Sequence, residues 1–210
     1  PVEAKIPGIN QSQVNTKAGF SFSTALRSML RQDPDIMMVG EIRDGETASI
    51  CMQAALTGHL VFSTLHTNDA PSAITRLCNL GIEPYLVAAT LRGVLAQRLV
   101  RKICPHCKTT WTPDARTAEV IVQSCGEFDE LHRGEGCGRC RGTGFAGRIG
   151  VFELLIPDSA LLDAIAEGAS LQSLRTQLEH SGFRVLREDG MEKVRAGLTT
   201  PDEIITSTRL

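Results

Sequence analysis

The sequence predicts an α/β fold: a parallel sheet first, then a metal-held subdomain, then a C-terminal strand and helices. Three observations lead there. Short apolar runs alternate with helical apolar spacing from Phe20 to Leu80, the order that builds a parallel sheet with helices on its faces. Two C-x-x-C pairs lie in a glycine-rich stretch without apolar periodicity. Beyond Ser159 the apolar spacing is that of short helices.

Taken in order, Phe20 to Arg31 carries Phe22, Leu26, Met29 and Leu30 on one helical face, behind Ser21 as a cap and ahead of Asp33-Pro34 as a stop. Ile36-Met37-Met38-Val39-Gly40 is an apolar run short enough for a strand buried on both faces. Glu46 to Leu56 is helical, His59 to Leu65 is a second buried strand, and Asp69 to Leu80 is a further helix. From Pro84 to Ile103 the leucines 86, 91, 95 and 99 predict one long helix, with Arg98, Arg101 and Lys102 near its end as a helix dipole prefers. Cys104 to about Arg148 differs in kind. Seven of the 19 glycines fall between Gly126 and Gly147, and a segment this poor in apolar periodicity needs something besides a core to hold it. Ile149 to Ile156 reads as a strand, followed by helices over Leu161–Glu167, Leu171–His180 and Arg187–Ala196. The resulting organisation is 1–103, 104–148 and 149–210.

Composition excludes several classes. A hydrophobic share of 42% with 22% charged residues marks a globular chain, not a disordered one. The net charge of −2 creates no global field toward nucleic acid or anionic lipid, and 4% aromatics offer few stacking surfaces. No nucleic-acid partner is expected. No apolar run approaches the roughly 20 residues that span a bilayer, so a cytoplasmic location is expected. The opening stretch, Pro1 to Val14, has no helix-start logic and resembles a piece cut from something longer.

Cys104-Pro105-His106-Cys107 and Cys137-Gly138-Arg139-Cys140 are two tight turns, each able to aim two sulfurs at one centre. Together they complete the closed S4 shell of structural zinc. The pairs are 29 residues apart (108–136), more than the 15 to 20 of compact ribbons, which implies an inserted loop. Lys102, Lys108, Arg139 and Arg141 offset the charge of four thiolates. The alternatives are disulfides, disfavoured inside cells, or free buried thiols. Cys51, Cys78 and Cys125 stand alone and read as ordinary thiols. A closed shell leaves no open position, so the metal is structural.

In α/β folds ligands sit at the carboxyl ends of strands. Glu41 follows such a strand, with Arg43 two residues on. An acid there orients an attacking water or helps hold Mg2+, although the same pattern also describes a plain solvated strand end.

The longer text resembles a known family. Leu30-Arg31-Gln32-Asp33-Pro34-Asp35 running into Met38-Val39-Gly40-Glu41-Ile42-Arg43-Asp44, then Leu56-Thr57-Gly58-His59-Leu60-Val61 and Ser63-Thr64-Leu65-His66-Thr67-Asn68, is similar to the secretion ATPases of type II secretion and type IV pilus assembly. Leu95-Ala96-Gln97-Arg98-Leu99-Val100 and the cysteine pairs follow in the family's order. The resemblance implies a partial RecA-like P-loop NTPase core. It matches Glu41 to the Walker B glutamate, His59 and His66 to the His box, Glu3 to an Asp-box acid, and Arg27, Arg31 and Arg43 to arginines of the nucleotide pocket or subunit boundary. For Arg27 and Arg31 an exposed helical face is the competing reading. For the histidines it is zinc ligation, which lacks a third ligand nearby.

No G-x-x-x-x-G-K-[ST] occurs in the chain, and none of Lys5, Lys17, Lys102, Lys108 and Lys193 follows a glycine. A phosphate cradle of that kind needs both, so little ATPase activity is expected from this chain alone. The resemblance implies, for the intact protein, ATP and Mg2+, a ring hexamer that drives pilin or pseudopilin assembly, and inner-membrane platform and assembly proteins as partners at the cytoplasmic face. The cysteine pairs favour assembly motors over retraction motors. A second expectation is a zinc-stabilised docking module for inner-membrane assembly proteins without its own ATPase activity.

Overall fold

The computed structural model describes residues 2, 4–126, 128 and 130–208. In chain order they form α1 (Phe22–Leu30), β1 (Ile36–Val39), α2 (Gly45–Leu56), β2 (Leu60–Ser63), α3 (Ala70–Asn79), α4 (Pro84–Thr90), β3 (Val94–Ile103), β4 (Lys108–Trp111), α5 (Ala115–Cys125), β5 (Leu131–Gly134), β6 (Phe145–Leu155), α6 (Ser159–Ala166), α7 (Leu171–His180), α8 (Leu186–Arg195) and α9 (Pro201–Ser207). Two compact units result. One comprises 1–67, 71–92 and 157–178; the other comprises 68–70, 93–156 and 179–210.

In the first unit β1 and β2 pair in parallel, Ile36 beside Leu60 through Val39 beside Ser63, with α2 as the crossover. The caps that start its helices are legible in the residues. Ser21 Oγ accepts the Thr24 N–H at 3.2 Å, and Asp44 accepts both the Thr47 N–H at 2.8 Å and the Thr47 hydroxyl at 3.1 Å. Gly45 opens α2 where a Cβ would stand 2.4 Å from the Leu80 carbonyl oxygen, so only glycine fits. Met37 and Val39 are buried with Leu26, Ile50 and Ala54. The opposite face is not buried: Ile36 and Met38 are 63% and 69% exposed, and Phe62 is exposed beside them. The expectation of strands buried on both faces is therefore corrected: β1 is buried on its Met37 and Val39 side alone, and β2 has no fully buried residue.

The second unit contains the main departure from the sequence reading. The long helix expected over 84–103 ends at Thr90, and Val94–Ile103 is a strand. Leucines four apart match a helical turn, but they also match twice the strand period. Here Leu95 and Leu99 share the exposed face of β3 while Val100 and Ile103 are buried. β3 pairs antiparallel with β6 from Val94–Leu155 to Ile103–Phe145, with a bulge between Arg101 and Ile103. A second antiparallel ladder joins β4 to β5. Their core gathers Val100, Val151, Met191, Val194 and Ile204, and also Ile121 and Leu131 from the segment expected to lack core residues. Glu153, on β6, is buried among them and accepts the backbone N–H groups of Ala70 at 2.5 Å and Leu186 at 2.8 Å. Helix α9, absent from the sequence reading, starts at Pro201 in the N1 position.

Candidate functional site

Two constellations match the residues singled out above, one in each unit. The first forms where β1 and β2 end. Glu41 follows β1 by two residues and His66 follows β2 by three, so parallel pairing in register brings residues 25 apart in sequence side by side. Arg43 Nε lies 2.6 Å from Glu41 Oε2, and His66 Nε2 lies 3.3 Å from the same oxygen. Glu41 is mostly buried, with its side chain 17% exposed, whereas Arg43 and His66 are exposed at 71% and 82%. The Arg43 guanidinium holds the Glu41 carboxyl below its ordinary value of 4.5; burial opposes this and the His66 bond assists it. An ionised carboxylate with an exposed cation beside it can polarise a water or join the shell of a divalent cation.

The other matched residues that are described have partners of their own or none in this set. His59 is held to the end of α2: its Nδ1 lies 3.0 Å from the Ala54 carbonyl and 3.1 Å from Thr57 Oγ1. A carbonyl only accepts, so Nδ1 is the donor in the bond to Ala54. Thr57, which sequence reasoning did not single out, is the supporting residue. Its signal was a hydroxyl directly after the last helical residue, where it can reach the final carbonyls. Arg27 pairs with Glu46 at 3.1 Å in an exposed ion pair, and Arg31 is exposed at the C-cap of α1. Glu3 lies outside the described residues.

The second constellation is the cysteine centre. The β3–β6 ladder ends with Ile103 beside Phe145 and continues through the Cys104 N–H to the Gly144 carbonyl at 2.9 Å. That closure carries the first pair to the second and overcomes their separation in sequence. The four Sγ atoms lie within 4.8 Å of one another. Cys104 and Cys137 are 4.0 Å apart, Cys107 and Cys140 3.8 Å, and Cys137 and Cys140 3.7 Å. A tetrahedron with metal–sulfur bonds of about 2.3 Å has edges of about 3.8 Å, whereas a disulfide needs about 2.0 Å. The set therefore fits a metal ion and contains no disulfide. The N–H groups of Cys137 and Gly144 donate to Cys140 Sγ at 3.1 and 3.3 Å and hold its thiol down at about 6. Burial pushes the Cys107 thiol up to about 12. The turn depends on glycine: Gly144 has φ +76°, and a Cβ on Gly134 would stand 2.0 Å from the Gly144 oxygen. Cys51 is buried and its thiol is pushed up to about 11, the inert state expected of it. Cys78 is partly buried with its thiol also raised, and the side chain of Cys125 lies outside the described residues. No helix among the described residues is long and apolar enough to cross a membrane.

A family model described as type II/IV secretion system protein matches residues 1–206. The chain is 52% identical over 210 residues to the type IV pilus assembly ATPase PilB of Thermus thermophilus, covering 99% of this chain and 24% of that protein. It is 46% identical over 209 residues to the type II secretion system ATPase E of Vibrio cholerae, covering all of this chain and 41% of that protein. The chain thus spans about a quarter of the length of the first of these relatives and about two fifths of the second. Among solved structures it is similar to the pilus retraction motor PilT with bound ADP, with TM-score 0.62 and 28% identity over 89% of this chain and 43% of that one. The Legionella pneumophila ATPase DotB, at TM-score 0.61, 24% identity and coverage of 89% and 42%, shares the fold.

Proposed function

The chain belongs to the type II/IV secretion system protein family, and we propose that it is the C-terminal part of an ATPase that drives pilin or pseudopilin assembly. The observation that carries this reading is the convergence of Glu41, Arg43 and His66 at the carboxyl ends of neighbouring parallel strands. In the proposed motor Glu41 accepts a proton from, or orients, the water that attacks the γ-phosphate of ATP. Mg2+, when bound with the nucleotide, neutralises phosphate charge. Arg43 is the exposed cation of the site, released from Glu41 toward phosphate oxygens, and His66 steadies the carboxylate as Arg43 leaves. His59 contributes Nε2, Glu3 supplies a further acid, and Arg27 and Arg31 serve the nucleotide pocket or the boundary between subunits of a hexamer. The cysteine centre holds one structural zinc. Inner-membrane platform and assembly proteins are its partners at the cytoplasmic face.

Replacing Glu41 with Gln in the full-length motor tests this. Turnover falls about 10²- to 10⁴-fold, the usual size of a lost general base, while nucleotide binding persists. Unchanged turnover rejects the reading. This chain alone turns over little ATP, and a rate equal to the full-length motor's rejects that part.

A second reading is favoured by one fact: the cysteine centre lies in a different compact unit from Glu41. That unit then acts as a zinc-stabilised docking module for inner-membrane assembly proteins. Pull-downs with and without Cys137→Ser decide it, and binding that survives loss of zinc counts against it.

A further inference from the structure

Thr64 has no place in the acid–arginine–histidine set, yet its hydroxyl and its carbonyl both engage the backbone that flanks Glu41. It follows β2 directly and precedes His66 by two residues. Its Oγ1 donates to the Gly40 carbonyl at 2.7 Å. Its own carbonyl accepts the Ile42 N–H at 3.0 Å. The two bonds leave one residue and land on either side of Glu41. Regular strand pairing has already stopped at Val39 and Ser63, so beyond that point these bonds take over from the ladder in tying the acidic turn to the end of β2.

We infer that Thr64 is a positioning residue: its hydroxyl clamps the Gly40–Ile42 turn to β2 and so keeps the Glu41 carboxylate within reach of the His66 ring. An exposed hydroxyl competes with water, and a neutral bond of this kind adds little to global stability. What it fixes is geometry, where a displacement of about 1 Å is enough to cost a catalytic group much of its rate. The inference rests on the proposed roles of Glu41 and His66, and Thr64 acts only through them.

Thr64→Val tests the clamp, because valine keeps the branched shape and removes the donor. Thr64→Ser is the rescue, since it restores the donor. In this chain the Glu41 carboxyl titration is followed by side-chain carbon NMR in an Arg43→Gln background, where His66 is the remaining partner. The titration moves upward in Thr64→Val, toward the ordinary carboxylate range, and returns in Thr64→Ser, with the unfolding midpoint unchanged. A Glu41 titration that is the same in Thr64→Val overturns the clamp. In the full-length motor Thr64→Val lowers kcat about tenfold to a hundredfold at constant KM for ATP, and Thr64→Ser recovers it. The two levels fail separately. Full turnover in Glu41→Gln rejects the catalytic reading, while lost turnover in Glu41→Gln with an unmoved titration in Thr64→Val rejects Thr64 alone.

Discussion

Arg43 Nε stands 2.6 Å from Glu41 Oε2 across a single intervening residue. The guanidinium is the largest cause of the lowered Glu41 carboxyl, and a lowered carboxyl stabilises the folded state above its ordinary value of 4.5. That contribution disappears as the pH falls through the lower value of the folded protein. Arg43→Gln therefore raises the Glu41 titration. It also narrows the stability difference between neutral and acid solution, read from thermal unfolding at a series of pH values. Identical Glu41 titrations in the two proteins contradict this.

The cysteine centre predicts one zinc per chain in reduced, carefully purified protein. Chelation accelerates amide exchange at Cys104 and Gly144 by about 100-fold or more, because closure of that turn depends on the metal. Amides of the β1–β2 pair in the other unit keep their protection. Exchange spread evenly over both units argues against a local role for the metal.

Glu153 gives a test of the second unit's core. Its two oxygens accept two backbone N–H groups far apart in sequence, and a glutamine can satisfy only one of them. Glu153→Gln leaves one buried donor facing an NH2 group, at a cost of about 1–3 kcal/mol. Urea unfolding measures it as a lower midpoint at unchanged slope.

Much of this was legible in the residues. The crossover from β1 through α2 to β2 could be read because the apolar runs at Ile36–Val39 and His59–Leu65 are too short for helices and a helical pattern lies between them, although Asp44 as the cap of α2 was not read. The cysteine centre could be read because two thiol pairs, each with two residues between its cysteines, have few uses besides holding a metal. Strand β3 was misread because leucines at intervals of four satisfy two periods at once, and Gly93 just before Val94 was the cue against a helix. Helix α5 was missed although Asp114 caps it, accepting the Thr117 N–H at 2.9 Å; its apolar face completes a core assembled from β3, β6 and α8. The Glu41–His66 pair has no local signature. It exists only because β1 and β2 are parallel and in register, which a spacing of 25 residues does not announce.

Arg101 and Glu203 carry the last prediction. Glu203 accepts the Arg101 backbone N–H at 2.9 Å and its guanidinium at 2.6 and 3.0 Å. Nearby, the Thr199 hydroxyl bonds the Arg101 carbonyl at 2.8 Å and the Ile103 N–H reaches the Leu198 carbonyl at 2.9 Å. The chain leading into α9 is thus tied to the edge of β3 that β6 leaves open, and Glu203 is its charged anchor. Arg101 holds the Glu203 carboxyl below 4.5 against the opposing effect of burial, so the stabilisation is complete above that value and is lost as the pH falls through the lower folded value. Glu203→Gln keeps the shape but loses the charge, which costs about 1–2 kcal/mol near neutral pH. The gap to the unmodified protein closes on acidification. Added salt narrows it only in part, because the carboxylate is mostly buried, with its side chain 17% exposed. A gap that is constant with pH in urea titrations assigns the loss to packing of α9 and removes Glu203 as its electrostatic anchor.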